Sequence, residues 1–461
     1  MIQAKGQRVK GTCEWTKKDN TYDRWLHDDT QPPLWIRGSP GKGKTVLSTF
    51  LSQKFEVRAA TIYFFCRAGV ENLDTAIGVL RGLIWHSMAQ FPDSARCSRV
   101  VLETLRREHR TLDADSQEHM EAALSSRETL WMVFVKLLTE SRRLGQTFCV
   151  LDGLDECDED SRDWLVTKFL SLNDVSGENC LKLIITSREL TRLRSAKQVI
   201  LDLDHNEGVS SDVKTFVRTK CLELTRRISL DSKHREDIEH TFQESIEETL
   251  PVRSQNSFLW LGPAMAELME EETITGVLST VNHLPQALRA VYERMLGQMK
   301  SHQRETSFQI LGWLVLARRP LGLPELASAV NCRPLYGWLT VEETVAERIA
   351  LCGPLLRVED QKVILVHKYA RDYLLLLWQS NEDGLDRNFR VDVEVLHLRI
   401  SKTCIDALVR DCPLSCYARQ HWYCHTKQSG SFSGPYLYYA GAVFNAHLGT
   451  RGPCVKPSTI G

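Results

Sequence analysis

The chain has 461 residues, 43% of them hydrophobic, with 58 Lys plus Arg against 59 Asp plus Glu. That is enough apolar material for roughly two to four cored domains, while a net charge of -1 excludes a general attraction to nucleic acid or acidic membrane surfaces. The 14 cysteines form no C-x-x-C pair, and Cys66 and Cys149 sit inside apolar runs, which fits reduced core thiols in the cytoplasm rather than a disulfide framework. No secretion signal opens the sequence, and no apolar run is long enough to span a bilayer, so no membrane partner is expected.

Residues 1–30 form a polar lead-in segment whose apolar set, Cys13, Trp15, Tyr22, Trp25 and Leu26, suits a short helix docked on the domain that follows. That domain, residues 31–205, opens with the strand Pro33-Leu-Trp-Ile, a glycine-rich turn and a helix whose face carries Val46, Leu47, Phe50 and Leu51. Across the turn, Gly38, Ser39, Pro40, Gly41, Lys42, Gly43, Lys44 and Thr45 fill the pattern G-x-x-x-x-G-K-S/T. Glycines there let backbone N–H groups curl around an anion at a helix N-terminus. Lys44 would neutralise the β and γ phosphates of a nucleotide, and the Thr45 hydroxyl would hold Mg²⁺.

A buried strand follows at Ala60 to Cys66, then helical periodicity over 72–91 and 127–144; the polar stretch between them sets no clear pattern. Thr147-Phe-Cys-Val-Leu-Asp152 is the second element a phosphate loop needs, a strand that delivers Asp152 to the Mg²⁺ shell, through water or directly. Asp155 and Glu156 lie one turn further, where a carboxylate can orient or deprotonate an attacking water. Leu181 to Arg188 is another buried strand, ending in an arginine placed to report a γ-phosphate, and Gln198 to Asp204 makes a fifth strand. Alternation of this kind gives a five-stranded parallel sheet with its ligand at the carboxyl ends.

Beyond residue 205 the strand signal stops. Residues 206–300 read as an α-helical domain, with helices around Val213 to Leu224, Phe258 to Leu268 and Leu284 to Leu296, where Pro263 would kink the second or place its start. Residues 301–385 read as a winged helix. Helices surround Leu311 and Leu326, 319–324 is a turn, Val341 to Leu351 follows, and the hairpin runs Leu355 to Val358, a four-residue turn, then Val363 to Val366, before a helix from His367 to Leu376. Ser301 to Gly384 carries nine Lys or Arg against ten Asp or Glu, which lacks the basic footprint of a DNA-binding module and argues against nucleic acid. Residues 386–448 are a helical stub with one amphipathic helix over Val395 to Leu408, and 449–461 a disordered tail. Cys412, Cys416, Cys424 and His425 match no common zinc spacing.

Taken together, Gly11-Thr-Cys-Glu-Trp15, the phosphate loop, Tyr63 to Cys66, Val150 to Cys157, Ile185 to Arg188 and Phe258-Leu-Trp260 resemble fungal NACHT proteins of the nephrocystin-like type, within the STAND class of signalling NTPases. Leu311 to Leu321 and Val366 to Leu374 resemble the winged-helix segment that follows NACHT in such proteins. The resemblance implies an NLR-like switch that binds ATP or GTP with Mg²⁺, hydrolyses it slowly and couples nucleotide state to self-association and an effector protein. It places Pro285 near the base and His367 at the β-phosphate of the closed state. Members of the family usually carry an effector domain before this core and repeats after it, neither of which is seen here; Tyr439 to His447 looks like the motif that closes the core, with Phe444 where Trp is usual. The rival reading is a scaffold that holds nucleotide without turning it over, and a third is a winged-helix DNA regulator.

Overall fold

A computed structural model describes residues 8–57, 59–70, 72–90, 99, 101, 103–104, 124–141, 145–176, 181–228, 235–284, 288–297, 299, 304–332, 339–352, 355–359, 361–365, 368–379 and 391–430. Contacts divide the chain into two compact units, Met1–Val291 and Tyr292–Gly461.

In the first unit, helix α1 (Asn20–His27) precedes strand β1 (Leu34–Arg37) and α2 (Lys44–Glu56), followed by β2 (Ala60–Phe65), α3 (Ala76–Gln90) and α4 (Arg127–Ser141). Next come β3 (Thr147–Asp152), α5 (Glu159–Ser176), β4 (Leu181–Ser187), the single turn α6 (Thr191–Arg194) and β5 (Val199–Asp202). All five strands pair in parallel in the order β2-β3-β4-β1-β5, so β4 lies between the strand that feeds the phosphate loop and the one that ends in Asp152. The α/β class and the five-stranded parallel sheet read from the sequence are both present.

Alternation along the strands explains how the sheet is covered on both faces. Trp35, Phe64, Cys149, Leu151 and Ile185 pack under α3, α4 and α5, through Leu80, Phe134 and Phe169. Their neighbours Leu34, Ile36, Phe148, Val150 and Ile184 face the other way, onto Trp25 of α1 and Leu51 and Phe55 of α2. Phe55 stacks on Phe148 with ring centroids 4.0 Å apart. The lead-in segment is thus part of this core. Asp19 caps α1, accepting from the N–H groups of Thr21 and Tyr22, and the buried Lys182 ammonium donates to the carbonyl oxygens of Trp25 (2.6 Å) and Asp28 (2.7 Å).

Helices α7 (Glu207–Arg227), α8 (Arg235–Arg253), α9 (Phe258–Glu270), α10 (Ile274–His283) and α11 (Leu288–Gly297) follow. Periodicity did not single out α8 or α10. Helix α9 starts at Phe258, so Pro263 lies inside it and does not place its start; the start is set by a tertiary contact described below. The Asp212 carboxylate of α7 accepts from the Cys13 backbone N–H (2.9 Å) and from Trp15 Nε1 (2.9 Å), tying the lead-in segment to the helices.

The second unit runs α12 (Arg304–Leu316), β6 (Leu321–Gly322), α13 (Leu323–Ala329), α14 (Val341–Ala350), β7 (Leu356–Glu359), β8 (Lys362–Leu365) and α15 (Lys368–Gln379), then α16 (Val393–Arg410) and α17 (Ser415–Gln428). The three strands form an antiparallel sheet in the order β6-β8-β7. Two expectations are corrected here. The stretch 319–324, read as a turn, contains β6, which pairs with β8 through Leu321 and Val363; a two-residue strand has no periodicity to detect. The hairpin turn is shorter than four residues, because Glu359 and Lys362 are already paired. Helix α17 was not anticipated, and its burial of Tyr417 and His425 is a tertiary matter taken up in the Discussion. Among the described residues, no helix is long and apolar enough to cross a membrane.

Candidate functional site

The register aligns the carboxyl ends of the strands: Arg37 of β1 lies beside Ser187 of β4 and Asp202 of β5, and Asp152 of β3 beside Phe65 of β2. Everything that leaves those ends meets at one edge. The loop between β1 and α2 needs two left-handed glycines, Gly41 at φ 82° and Gly43 at φ 80°, a conformation L-residues with a Cβ avoid. Helix α2 then begins with Gly43 as its N-cap and no side chain capping its first N–H groups. An uncapped N-terminus carries partial positive charge and donors aimed outward, the arrangement that receives a phosphate.

Lys44 folds back over the loop, its Nζ donating to the carbonyl oxygens of Gly38 and Ser39, the latter at 3.1 Å. Burial lowers its pKa and the charge of Arg188 pushes the same way, while Asp155, Asp152 and Asp204 oppose them. The Thr45 hydroxyl donates to Asp152 Oδ2 at 2.8 Å. Ser48 of α2 and Thr186 of β4 donate to the other oxygen at 2.8 and 2.7 Å, so a nearly inaccessible carboxylate is held by three hydroxyls. Thr186 also accepts from the Gly153 N–H (2.9 Å), which fixes the turn after β3. Gly38 N–H donates to the Ser187 carbonyl at 3.3 Å, stitching the loop to β4.

After β3, Gly153 at φ 69° opens a short 3₁₀ turn, Leu154–Glu156. Its two carboxylates part company. Asp155 turns to β4 and accepts from both the backbone N–H (3.1 Å) and Nε (2.7 Å) of Arg188. Glu156 turns to the end of β2 and accepts from the Ala68 N–H at 3.2 Å. Lys44, Thr45, Asp152, Asp155, Glu156 and Arg188 are therefore brought to one end of one sheet. Pro285 and His367, with the closing motif Tyr439 to His447, lie outside the described residues.

The site fits a nucleotide and its cation. Mg²⁺ takes hard oxygen donors, commonly one or two protein oxygens with the rest from phosphate and water, and Thr45 with Asp152 supplies a hydroxyl and a carboxylate in contact. Among the described residues, no three His, Cys, Asp or Glu side chains are grouped to hold a metal ion by themselves. His425, in the cysteine-bearing stretch, has its two ring nitrogens against Tyr417 and His397.

Three features were not read from the sequence. Asp204, just past β5, accepts from the Ser39 N–H (2.9 Å) and hydroxyl (3.1 Å); its place at a strand end was the same signal that found Asp152. Ser48 sits three residues after Thr45, hence on the same helical face. The third had no local signal: Phe258 N–H donates to the Gly41 carbonyl at 2.8 Å, and Lys42 Nζ to the Gln255 carbonyl at 2.8 Å, so the start of α9 buttresses the phosphate loop. A Cβ on Gly41 would stand 2.3 Å from Ser257 Oγ and 2.7 Å from Leu259 Cβ. Gly41→Ala is therefore expected to cost well over the ~1–2 kcal/mol of the backbone conformation alone, displacing the start of α9 and lowering phosphate affinity together; urea unfolding and nucleotide titration of the same protein check this, and an unchanged unfolding midpoint counts against the buttress.

The sequence model of the family described as Nephrocystin 3, N-terminal matches residues 11–188. The vegetative incompatibility protein HET-E-1 of Podospora anserina is 28% identical over 392 residues, covering 81% of this chain and 26% of that protein, so the chain spans about a quarter of that relative's length. Solved structures that resemble it include the Walker-type ATPase PABY2304 of Pyrococcus abyssi (13% identity, 81% of this chain and 99% of that one, TM-score 0.35). Cdc6p from Pyrobaculum aerophilum is a second (13% identity, 87% and 97%, TM-score 0.36). The phosphate loop, the Asp152 strand and the Arg188 strand all lie inside the matched segment, so residues 11–188 resemble the nephrocystin 3 N-terminal family and have the layout of a NACHT-like P-loop NTPase domain.

Proposed function

We propose that this chain is the core of a cytoplasmic signalling switch that binds ATP or GTP with Mg²⁺, hydrolyses it slowly and couples nucleotide state to self-association. One observation carries the reading: the uncapped start of α2, Lys44, the Thr45–Asp152 pair and the Asp155–Arg188 pair sit together at the carboxyl edge of one sheet. Gly38 to Thr45 would hold the phosphates, Thr45 and Asp152 the cation, and Arg188 would read the third phosphate. The cation, when bound, neutralises charge on the phosphates. Asp155 or Glu156 would orient the attacking water.

Pro285 near the base and His367 at the β-phosphate belong to the same proposal. Residues 301–385 are read as its winged helix, supported by the order helix, strand, helix, helix, hairpin in α12 to β8. Similarity to a vegetative incompatibility protein supports a signalling role with an effector partner. The differential contacts of triphosphate and diphosphate would bias two arrangements of the chain.

The test identifies the nucleotide that co-purifies, then measures phosphate release by wild type and by the double variant Asp155→Asn, Glu156→Gln, and particle mass with and without a non-hydrolysable triphosphate. The switch predicts slow release that the variant loses while still binding, and a larger particle with triphosphate. Tight binding with no release above the variant and no change in mass supports the rival scaffold instead.

A further inference from the structure

We propose that Asp155 is the positioning residue for Arg188, so that reading of the third phosphate depends on this carboxylate and activation of water falls to Glu156 alone. The inference rests on the nucleotide-switch reading and divides roles that reading left shared between two adjacent acids.

The division follows from the turn. Gly153 is left-handed, and the 3₁₀ turn after it sends consecutive side chains to opposite neighbours. Asp155 spends both of its oxygens on Arg188, one on the backbone N–H at 3.1 Å and one on Nε at 2.7 Å. Its side chain is only 10% exposed, against 34% for Arg188. Holding an arginine at its own main chain and at the root of its guanidinium closes a ring that fixes the side-chain torsions. An unheld arginine surrenders rotamer freedom when it engages a ligand; here that ordering is done beforehand, which is what makes a charged group discriminating rather than merely attractive.

Position strengthens the point. Arg188 directly follows Ser187, whose carbonyl accepts the Gly38 N–H of the phosphate loop, and the charges of both Asp155 and Arg188 are felt at the Lys44 ammonium. A carboxylate already engaged twice and shielded from solvent is poorly placed to take a proton from water. Glu156, one residue on, turns away from Arg188 to the end of β2, where it accepts from the Ala68 N–H at 3.2 Å.

The experiment titrates a non-hydrolysable triphosphate and the corresponding diphosphate, with Mg²⁺, into wild type, Asp155→Asn, Arg188→Gln, the double variant and Glu156→Gln. Expected is a fall of about tenfold or more in the triphosphate-to-diphosphate affinity ratio for each of the first two, no further fall in the double variant, and diphosphate affinity within about threefold of wild type throughout. Glu156→Gln keeps the ratio and loses phosphate release. The proposal is overturned if Asp155→Asn keeps the ratio, if its loss multiplies with that of Arg188→Gln, or if it weakens both ligands alike, as a merely structural role would. Wild type that binds neither nucleotide removes the switch reading itself, an outcome separate from these.

Discussion

Lys44→Ala is expected to weaken binding of a Mg²⁺-triphosphate by at least about two orders of magnitude while leaving the thermal midpoint nearly unchanged. The ammonium lies over the loop on the carbonyls of Gly38 and Ser39, within reach of the fields of Asp155, Asp152 and Arg188. Charge-assisted hydrogen bonds to phosphate are worth about 1.5–3 kcal/mol each, and the lysine would make contacts to two phosphates, so ~3 kcal/mol or more is at stake, a factor of about a hundred or more in affinity. Alanine also removes a positive charge that offsets those of Asp152, Asp155 and Asp204, so the site becomes less favourable to an anion. The fold loses only two loop contacts, because the left-handed glycines and the Phe258 contact shape the loop independently. Titration calorimetry with a paired melting curve reads both quantities. Affinity within about fivefold of wild type would mean that the phosphates do not lie where the loop geometry places them.

The second large effect concerns pH and the second unit. His425 is fully buried, with Nε2 2.7 Å from the Tyr417 hydroxyl and Nδ1 2.9 Å from Nδ1 of His397, while the Arg318 N–H donates to Tyr417 at 3.1 Å. Two facing Nδ1 atoms share one proton when both rings are neutral; a second proton sets donor against donor. Burial first, then the positive charge of Arg318, lowers the His397 pKa to about 4. For His425, burial and then His397, Arg318 and His421 lower it to about 3.

Both values lie below the ordinary histidine pKa of about 6.5, so the unfolded chain binds more protons than the folded one throughout that interval, and stability falls with acidification. It is fully present above about pH 6.5 and lost progressively down through pH 4 and 3. Each histidine contributes about 1.4 kcal/mol per pH unit, so at pH 5 the pair withdraws roughly 2–4 kcal/mol, a large part of the ~5–15 kcal/mol typical of a domain. Urea unfolding of the whole chain from pH 7 to 4.5 should show a steep loss in the transition of the second unit. His397→Gln, which offers an amide in place of a titrating ring, should roughly halve that slope. An identical slope in the variant would place the acid sensitivity elsewhere.

How far the site was legible depended on which interactions are local. The phosphate loop, the Asp152 strand and the Arg188 strand each announce themselves by an apolar run ending in a polar or charged residue, so Lys44, Thr45, Asp152 and Arg188 stand out in the sequence as candidates. Their arrangement could not. That β4 is inserted between β1 and β3 is a fact of strand pairing, and it is why Arg188 stands next to the acids of the β3 turn. Adjacent carboxylates look interchangeable in a sequence; only the turn at Gly153 sends Asp155 to Arg188 and Glu156 to Ala68.

The same division holds away from the site. Strands β2, β3 and β4 were visible because burial on both faces demands continuous apolar residues, whereas two-residue β6 exists only through its partner β8. Helix α17 is rich in Trp, Tyr and His with no clean apolar stripe, and it is held by a polar chain that starts at the Arg318 N–H and runs through the buried Tyr417, His425 and His397, with more than a hundred residues of separation between Arg318 and His425. The chemistry available at each strand end is legible locally, because periodicity and glycine placement are written within about ten residues. Which of those groups face one another was decided by strand order and by contacts such as Gly41 with Phe258, since hydrogen bonds between distant segments leave no local pattern to read.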